Sequence, residues 1–192
     1  ALIIFGGIGF LVIGEIRTKR FAWKRYSMHA KIVLSTSAVL TVGGALLLWL
    51  TEKFSPLAAL FHSVSARTAG FSTVPLGNFS EVGLLVLIVL MFIGACAGST
   101  GGGIKCSRIL LLGKSVKKEL MCLIHPRLVR VNKMDGQRVA HEVMRSINVF
   151  VVAYAGIFLV SLLIIAFSCE DLVTCFTSVA TTLNNVGPGL SL

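Results

Sequence analysis

The sequence predicts an all-α integral membrane protein, and three observations predict it. Only 14% of residues are charged and 55% are hydrophobic, where a soluble domain carries about 25% charged residues. The mean hydropathy is +0.89. The apolar runs 32–50, 82–96 and 147–167 approach the roughly 20 residues that cross a bilayer as a helix.

The first element, residues 1–31, is an apolar run followed by a basic loop. The run opens at Ala1 with neither an initiator Met nor a basic leader. It reads as the continuation of a longer chain and not as a signal peptide. Six of the 18 Lys and Arg residues lie between positions 15 and 31, and ten more between 105 and 145. Such clusters beside spans mark the cytoplasmic side. The net charge of +10 is therefore a topology and lipid-headgroup signal, and no nucleic-acid partner is expected.

The second element is an outer helix over 32–50, leaving the cytoplasm. Residues 81–105 must return to it, so the segment between starts and ends outside. Ser55-Pro56 is a good N-cap and N1 pair, predicting a helix over 56–67. That helix is about 18 Å long, too short for a core of about 30 Å. A re-entrant half-helix satisfies both constraints. The turn behind it, residues 68–71 (Thr68, Ala69, Gly70, Phe71), is irregular backbone, tolerated at membrane depth only inside protein or along a water-filled path. Half-helix plus exposed carbonyls is the design of an ion filter. A surface loop with an amphipathic helix is the competing reading of this stretch alone.

An internal repeat bears on that choice. Leu57, Phe61, Ser63 and Val64 match Leu172, Phe176, Ser178 and Val179 at one offset. With two residues inserted, Thr68-Ala69-Gly70 meets Asn185-Val186-Gly187. The repeat unit is outer helix, half-helix, turn and inner helix. One complete unit spans 32–137, with its broken inner helix over 81–120. A further unit, 138–192, has an outer helix over 141–167, a half-helix over 171–183 and a turn over 184–189. The tract 5–9 (FGGIG) echoes 92–96 (FIGAC), which makes residues 1–15 the inner helix of an earlier unit.

The inner helix is interrupted by Gly98, Ser99, Thr100, Gly101, Gly102 and Gly103, followed by Lys105. Glycines cost about 1 kcal/mol each in a helix, so a break is predicted. The phosphate-loop pattern fails, since Ile104 stands where Lys is needed. Two readings stay open: a small-residue packing face, or a flexible gating loop beneath the turns, with Lys105 reaching cytoplasmic water. Arg67 either braces the turn, bonding nearby carbonyls or an acid, or lies on the ion path. His62 is expected packed or at the external mouth, with Asn184 pinning its turn. The five cysteines show no CxxC pair and no metal spacing and read as packing residues. No catalytic constellation stands out, so an enzyme is not expected.

Together SARTAGF (65–71), GSTGGGIK (98–105) and NNVGPG (184–189) resemble the third filter, intramembrane loop and fourth filter of the Trk/Ktr/HKT superfamily of potassium transporters, most closely its TrkH/TrkG branch. The resemblance implies K+-channel-like repeats around one central pore in a multi-pass inner-membrane protein. It implies K+ as the transported ion, moved as through a channel or by a symporter, without another cofactor. K+ would meet the backbone carbonyls of Thr68, Ala69, Asn185 and Val186, with Gly70 and Gly187 as filter glycines and Arg67 and Asn184 as filter support. Implied partners are a second copy in a homodimer, membrane lipids, and a cytosolic nucleotide-binding subunit of the TrkA type at the basic loops 17–31 and 114–138. A non-conducting membrane scaffold for a cytosolic protein is the alternative.

Overall fold

The computed structural model describes residues 2–19, 25–67, 69–74, 79–96, 98–99, 101–125, 133–134, 137–138, 141–168 and 171–187. Its helices are α1 (Leu2–Ile8), α2 (Phe10–Lys19), α3 (Met28–Glu52), α4 (Pro56–Ser65), α5 (Glu81–Ile93), α6 (Cys106–Ile124), α7 (His141–Ala166) and α8 (Leu172–Leu183). Between α6 and α7 an antiparallel pair, β1 (Lys133–Met134) and β2 (Gln137–Arg138), is the one departure from an all-helical chain among the described residues. The sequence reading anticipated no strand there.

The long helices are apolar enough to span a membrane. The most apolar 18-residue stretch of α3 has a mean hydropathy of 1.9, and that of α7 has 2.8. At 1.5 Å per residue, α7 is about 39 Å long, enough for a core of about 30 Å, whereas α4 and α8 reach only about 15 and 18 Å. The outer face of α7 exposes Val149, Val152, Leu159, Leu163 and Ile164, which suits a lipid solvent.

Short polar signals set the helix ends. Ser55 accepts a hydrogen bond from the Ala58 N–H, with Pro56 opening α4. Ser27 does the same for Ala30 at the start of α3, and Ser80 for Gly83 at the start of α5. Two of these caps are gripped by an acid from another helix. The Glu15 carboxylate, on α2, accepts from the Ser27 N–H and hydroxyl at 3.2 and 2.9 Å. Desolvation pushes that carboxyl up, but the Ser27 donors and Lys19 outweigh it and leave it below its ordinary value. Glu52, at the end of α3, accepts from the Ser80 N–H at 3.1 Å and from the Ser80 hydroxyl. Glu15 thereby helps fix the start of α3, and Glu52 the start of α5.

Each half-helix packs on the long helix before it, α4 on α3 and α8 on α7, and α5 touches α3, α4 and α8. One buried cluster joins Leu48, Ala59, Ala66, Leu87, Leu90, Met91 and Val186. A second joins Val12, Tyr26, Ala30 and Val33 to Cys96 and Cys106. In the third, Phe158, Val179 and Ala180 meet Phe92 and Phe176. The first cluster is the one that carries the second turn, through Val186, to the first.

Candidate functional site

Both half-helices end in the same way. The N–H groups of Ala69 and Gly70 both donate to the Ser65 carbonyl, at 2.9 and 3.0 Å. In the second turn the Val186 N–H donates to the Thr181 carbonyl at 2.9 Å. The bonds from Gly70 and from Val186 each close five residues, as at helix ends; the second encloses the left-handed Asn185, and in the first the left-handed residue is the donor Gly70 itself. Gly70 has φ +68° and Gly187 φ +110°, where a side chain is disfavoured. A Cβ on Gly187 would meet nothing within 4 Å, so it is backbone conformation and not space that calls for glycine. The closures set Gly70 opposite Val186, one residue from the pairing that the glycines suggest, and Asn185 takes the left-handed position (φ +57°) of its turn. The Ser65 hydroxyl adds a 2.5 Å bond to the Phe71 carbonyl.

The two turns meet. A pocket of ≈ 20 Å³ is lined by Gly70, Phe71 and Ser72 from the first turn and by Val186 from the second, with Ser65, Leu87 and Met91 behind them. That volume admits one water-sized body. The C-terminal ends of α4 and α8 both converge here, bringing two negative dipole ends together. Ala69, Asn185 and Gly187 lie in the turns without lining the pocket. Thr68 falls outside the described residues. His62 is buried among Phe54, Phe61 and Phe79 and faces the Thr73 hydroxyl at 3.1 Å.

The residue before each turn is buried and tied to the outer helix of its own segment. The Arg67 guanidinium, 7% exposed, donates to the Gly94 carbonyl at 3.2 Å, the Ser37 hydroxyl at 3.1 Å, the Thr41 hydroxyl at 3.2 Å and Cys106 Sγ at 3.7 Å. No carboxylate pairs with it among the described residues. Its charge is solvated by neutral dipoles on α3 and at the end of α5, and none of its bonds goes to a turn carbonyl. Asn184, fully buried, accepts from the Tyr154 hydroxyl at 2.6 Å and donates to the Ala180 carbonyl at 2.7 Å. The sequence reading missed Ser37, Thr41 and Tyr154. Ser37 and Thr41 are one helical turn apart on an apolar helix, and Tyr154 interrupts an apolar run, so polar residues inside spans were the available signal.

The glycine loop folds back on itself between α5 and α6. Ile104 N–H donates to the Phe92 carbonyl at 3.1 Å and Cys106 N–H to the Ala95 carbonyl at 3.2 Å. Lys105, expected to reach cytoplasmic water, is half-buried. Its Nζ donates to the Ser99 carbonyl at 3.2 Å, closing the loop across its own turn. Gly98, Ser99, Gly101, Gly102 and Gly103 are described; Thr100 lies outside the described residues. Gly102 abuts the second turn. A Cβ there would collide with the Asn184 carbonyl oxygen and come within 2.7 Å of its carbon, so only glycine permits this approach. The other side of the loop bonds the break between α1 and α2: Cys96 N–H to the Gly7 carbonyl at 3.0 Å, and Phe10 N–H to the Gly98 carbonyl at 3.3 Å. The run over 1–15 is thus two helices, interrupted at Gly9.

Comparison with known proteins follows the same lines. A family model described as TrkH, cation transport protein, matches residues 32–191. The chain is 38% identical over 168 residues to the Trk system potassium uptake protein TrkH of Escherichia coli K12, covering 84% of this chain and 35% of that one. Against the Ktr system potassium uptake protein B of Vibrio alginolyticus it is 46% identical over 119 residues, 55% of this chain and 26% of the relative. The crystal structure of the potassium transporter TrkH from Vibrio parahaemolyticus superposes with a TM-score of 0.83 at 32% identity, over 98% of this chain and 42% of that one. The chain spans about a third of the length of the E. coli relative.

The Tyr154 bond generates a test. Tyr154→Phe leaves the buried Asn184 side-chain oxygen without its donor, at a cost of about 1–3 kcal/mol. The thermal midpoint of the detergent-solubilised protein is expected to fall accordingly, whereas an unchanged midpoint would show that the bond does not hold the turn.

Proposed function

The chain belongs to the TrkH family of cation transport proteins, and on that premise we propose that it forms part of a potassium uptake pathway across the bacterial inner membrane. The observation that carries the proposal is the shared pocket between Gly70 and Val186. A dehydrated K+ ion is about the size of a water molecule. Carbonyl oxygens can replace its hydration shell where they converge at fixed distance. The carbonyls of Thr68 and Ala69 in one turn, and of Asn185 and Val186 in the other, are the proposed ligands; of these Val186 lines the pocket, and Ala69 and Asn185 stand in the turns beside it. Gly70 and Gly187 hold the backbone conformations that such ligation requires. Two helix C-termini aimed at one point favour a cation there. In this reading residues 32–137 and 138–192 are successive repeats around one pore axis.

The glycine loop is the proposed gate. It stands against the second turn through Gly102 and against the preceding inner helix through Cys96 and Gly98. A segment of low helix propensity, held by a few backbone bonds, can exchange between two arrangements at small cost. A homodimer and a cytosolic nucleotide-binding subunit docking on the basic segments 17–31 and 114–138 complete the proposal, the latter biasing the loop. A non-conducting scaffold using the same basic segments would bind that partner without cation flux.

Two experiments use the natural full-length gene product in cells lacking other potassium systems, with Rb+ uptake as readout. Gly70→Asp puts a side chain and a fixed charge on a left-handed position and is expected to abolish uptake or its selectivity. Uptake unchanged in rate and selectivity would refute the filter. Gly102→Ala wedges the loop away from Asn184 and is expected to raise flux and weaken dependence on the regulatory subunit. The matched control is Gly113→Ala, where a Cβ meets nothing within 4 Å. Equal flux in both variants would refute the gate.

A further inference from the structure

Two cysteines stand at the neck of the glycine loop, Cys96 where it leaves and Cys106 where it returns. Both are buried, at 0% and 3% exposure, and lie in one apolar cluster. The Cys106 N–H bonds the Ala95 carbonyl at 3.2 Å, which sets the two backbones side by side. The Cys96 thiol faces the Val33 carbonyl and the Cys106 thiol the Gly94 carbonyl, each at 3.9 Å. Arg67 Nη2 stands 3.7 Å from Cys106 Sγ, the cationic neighbour typical of reactive cysteines. An almost wholly apolar groove of ≈ 230 Å³ between α3 and α6 leads to the same sulfur, lined by Thr36, Val39, Leu40, Cys106, Ile109 and Leu110. Its rim residue Val39 is 69% exposed on the lipid-facing surface of α3. Cys106 thus forms part of the wall of this groove.

We propose that Cys96 and Cys106 are a redox-active thiol pair, oxidised to a disulfide by apolar hydroperoxides that enter from the bilayer through this groove. Cys106 sulfur attacks the terminal oxygen of the hydroperoxide. The O–O bond breaks, and the alcohol leaves with the thiol proton, so that Cys106 becomes a sulfenic acid. Cys96 sulfur then attacks the Cys106 sulfur, the S–O bond breaks, and the hydroxide departs as water with the Cys96 proton. Two thiols lose two electrons, and one hydroperoxide becomes one alcohol and one water. The disulfide ties the two ends of the loop together. Its effect on transport rests on the gate reading above: a stapled neck holds the loop against Asn184 and stops flux.

The test treats inverted membrane vesicles containing the full-length protein with cumene hydroperoxide, and in parallel with hydrogen peroxide, which partitions poorly into the bilayer. Non-reducing peptide mass spectrometry reads the Cys96–Cys106 crosslink, and Rb+ flux is followed in the same vesicles. The expected result is a crosslink that forms at lower cumene hydroperoxide than hydrogen peroxide, with loss of flux restored by dithiothreitol. In Cys96→Ser the sulfenic acid should persist on Cys106 and be trapped by dimedone. A crosslink with undiminished flux would leave the thiol pair standing and overturn the gate reading. Absence of the crosslink in the wild-type protein, with both thiols still open to alkylation after unfolding, would overturn the proposal.

Discussion

Backbone that stops being helical inside a bilayer must find partners for its N–H and C=O groups, because lipid offers none. This chain breaks its helices at Gly9, after Ser65, between Gly94 and Lys105, and after Leu183. The breaks resolve the constraint by meeting one another. The loop at 94–105 bonds the Gly9 break through Cys96 and Phe10. It bonds the Arg67 side chain through the Gly94 carbonyl, and it stands against the second turn at Gly102. Irregular backbone thereby becomes a single connected region, walled by α3 and α7. Each break would be costly alone, and together they supply one another's partners.

Buried polar side chains fix that region to the outer helices. Arg67 and Asn184 hold matching places, each directly before its turn, yet they solve the task with different chemistry. Arg67 spreads one charge over hydroxyls, a carbonyl and a thiol. Asn184 uses two short bonds, accepting from Tyr154 and donating to the Ala180 carbonyl. Each reaches the preceding long helix, Arg67 through Ser37 and Thr41 on α3 and Asn184 through Tyr154 on α7.

Much of this was legible in the residues. Apolar runs located α3 and α7, because hydropathy reports lipid-facing surface directly. Ser55-Pro56 marked the start of α4, since the cap chemistry is local. The likeness of 5–9 to 92–96 pointed to two equivalent stretches, and both are interrupted. The partners of Arg67 and Asn184 were not legible, because Ser37, Thr41 and Tyr154 lie some 26 to 30 residues away in sequence and no short-range pattern links them. The bond from Lys105 to the Ser99 carbonyl was not legible for a related reason, since it depends on how the loop turns. The proximity of Cys96 and Cys106 depends on the loop's return path, which composition cannot reveal. The one-residue offset between Gly70 and Val186 emerges only from the hydrogen bonds that close each turn.

The proposed function requires that a cation without its water shell rest between the two turns. Anomalous diffraction from crystals of the full-length protein grown in Rb+ tests it most directly. The account predicts an anomalous peak on the axis bounded by the backbone of residues 68–70 and 185–187, and loss of that peak in Gly70→Asp. Crystals that conduct Rb+ elsewhere, with a peak remote from both turns and none between them, would contradict it.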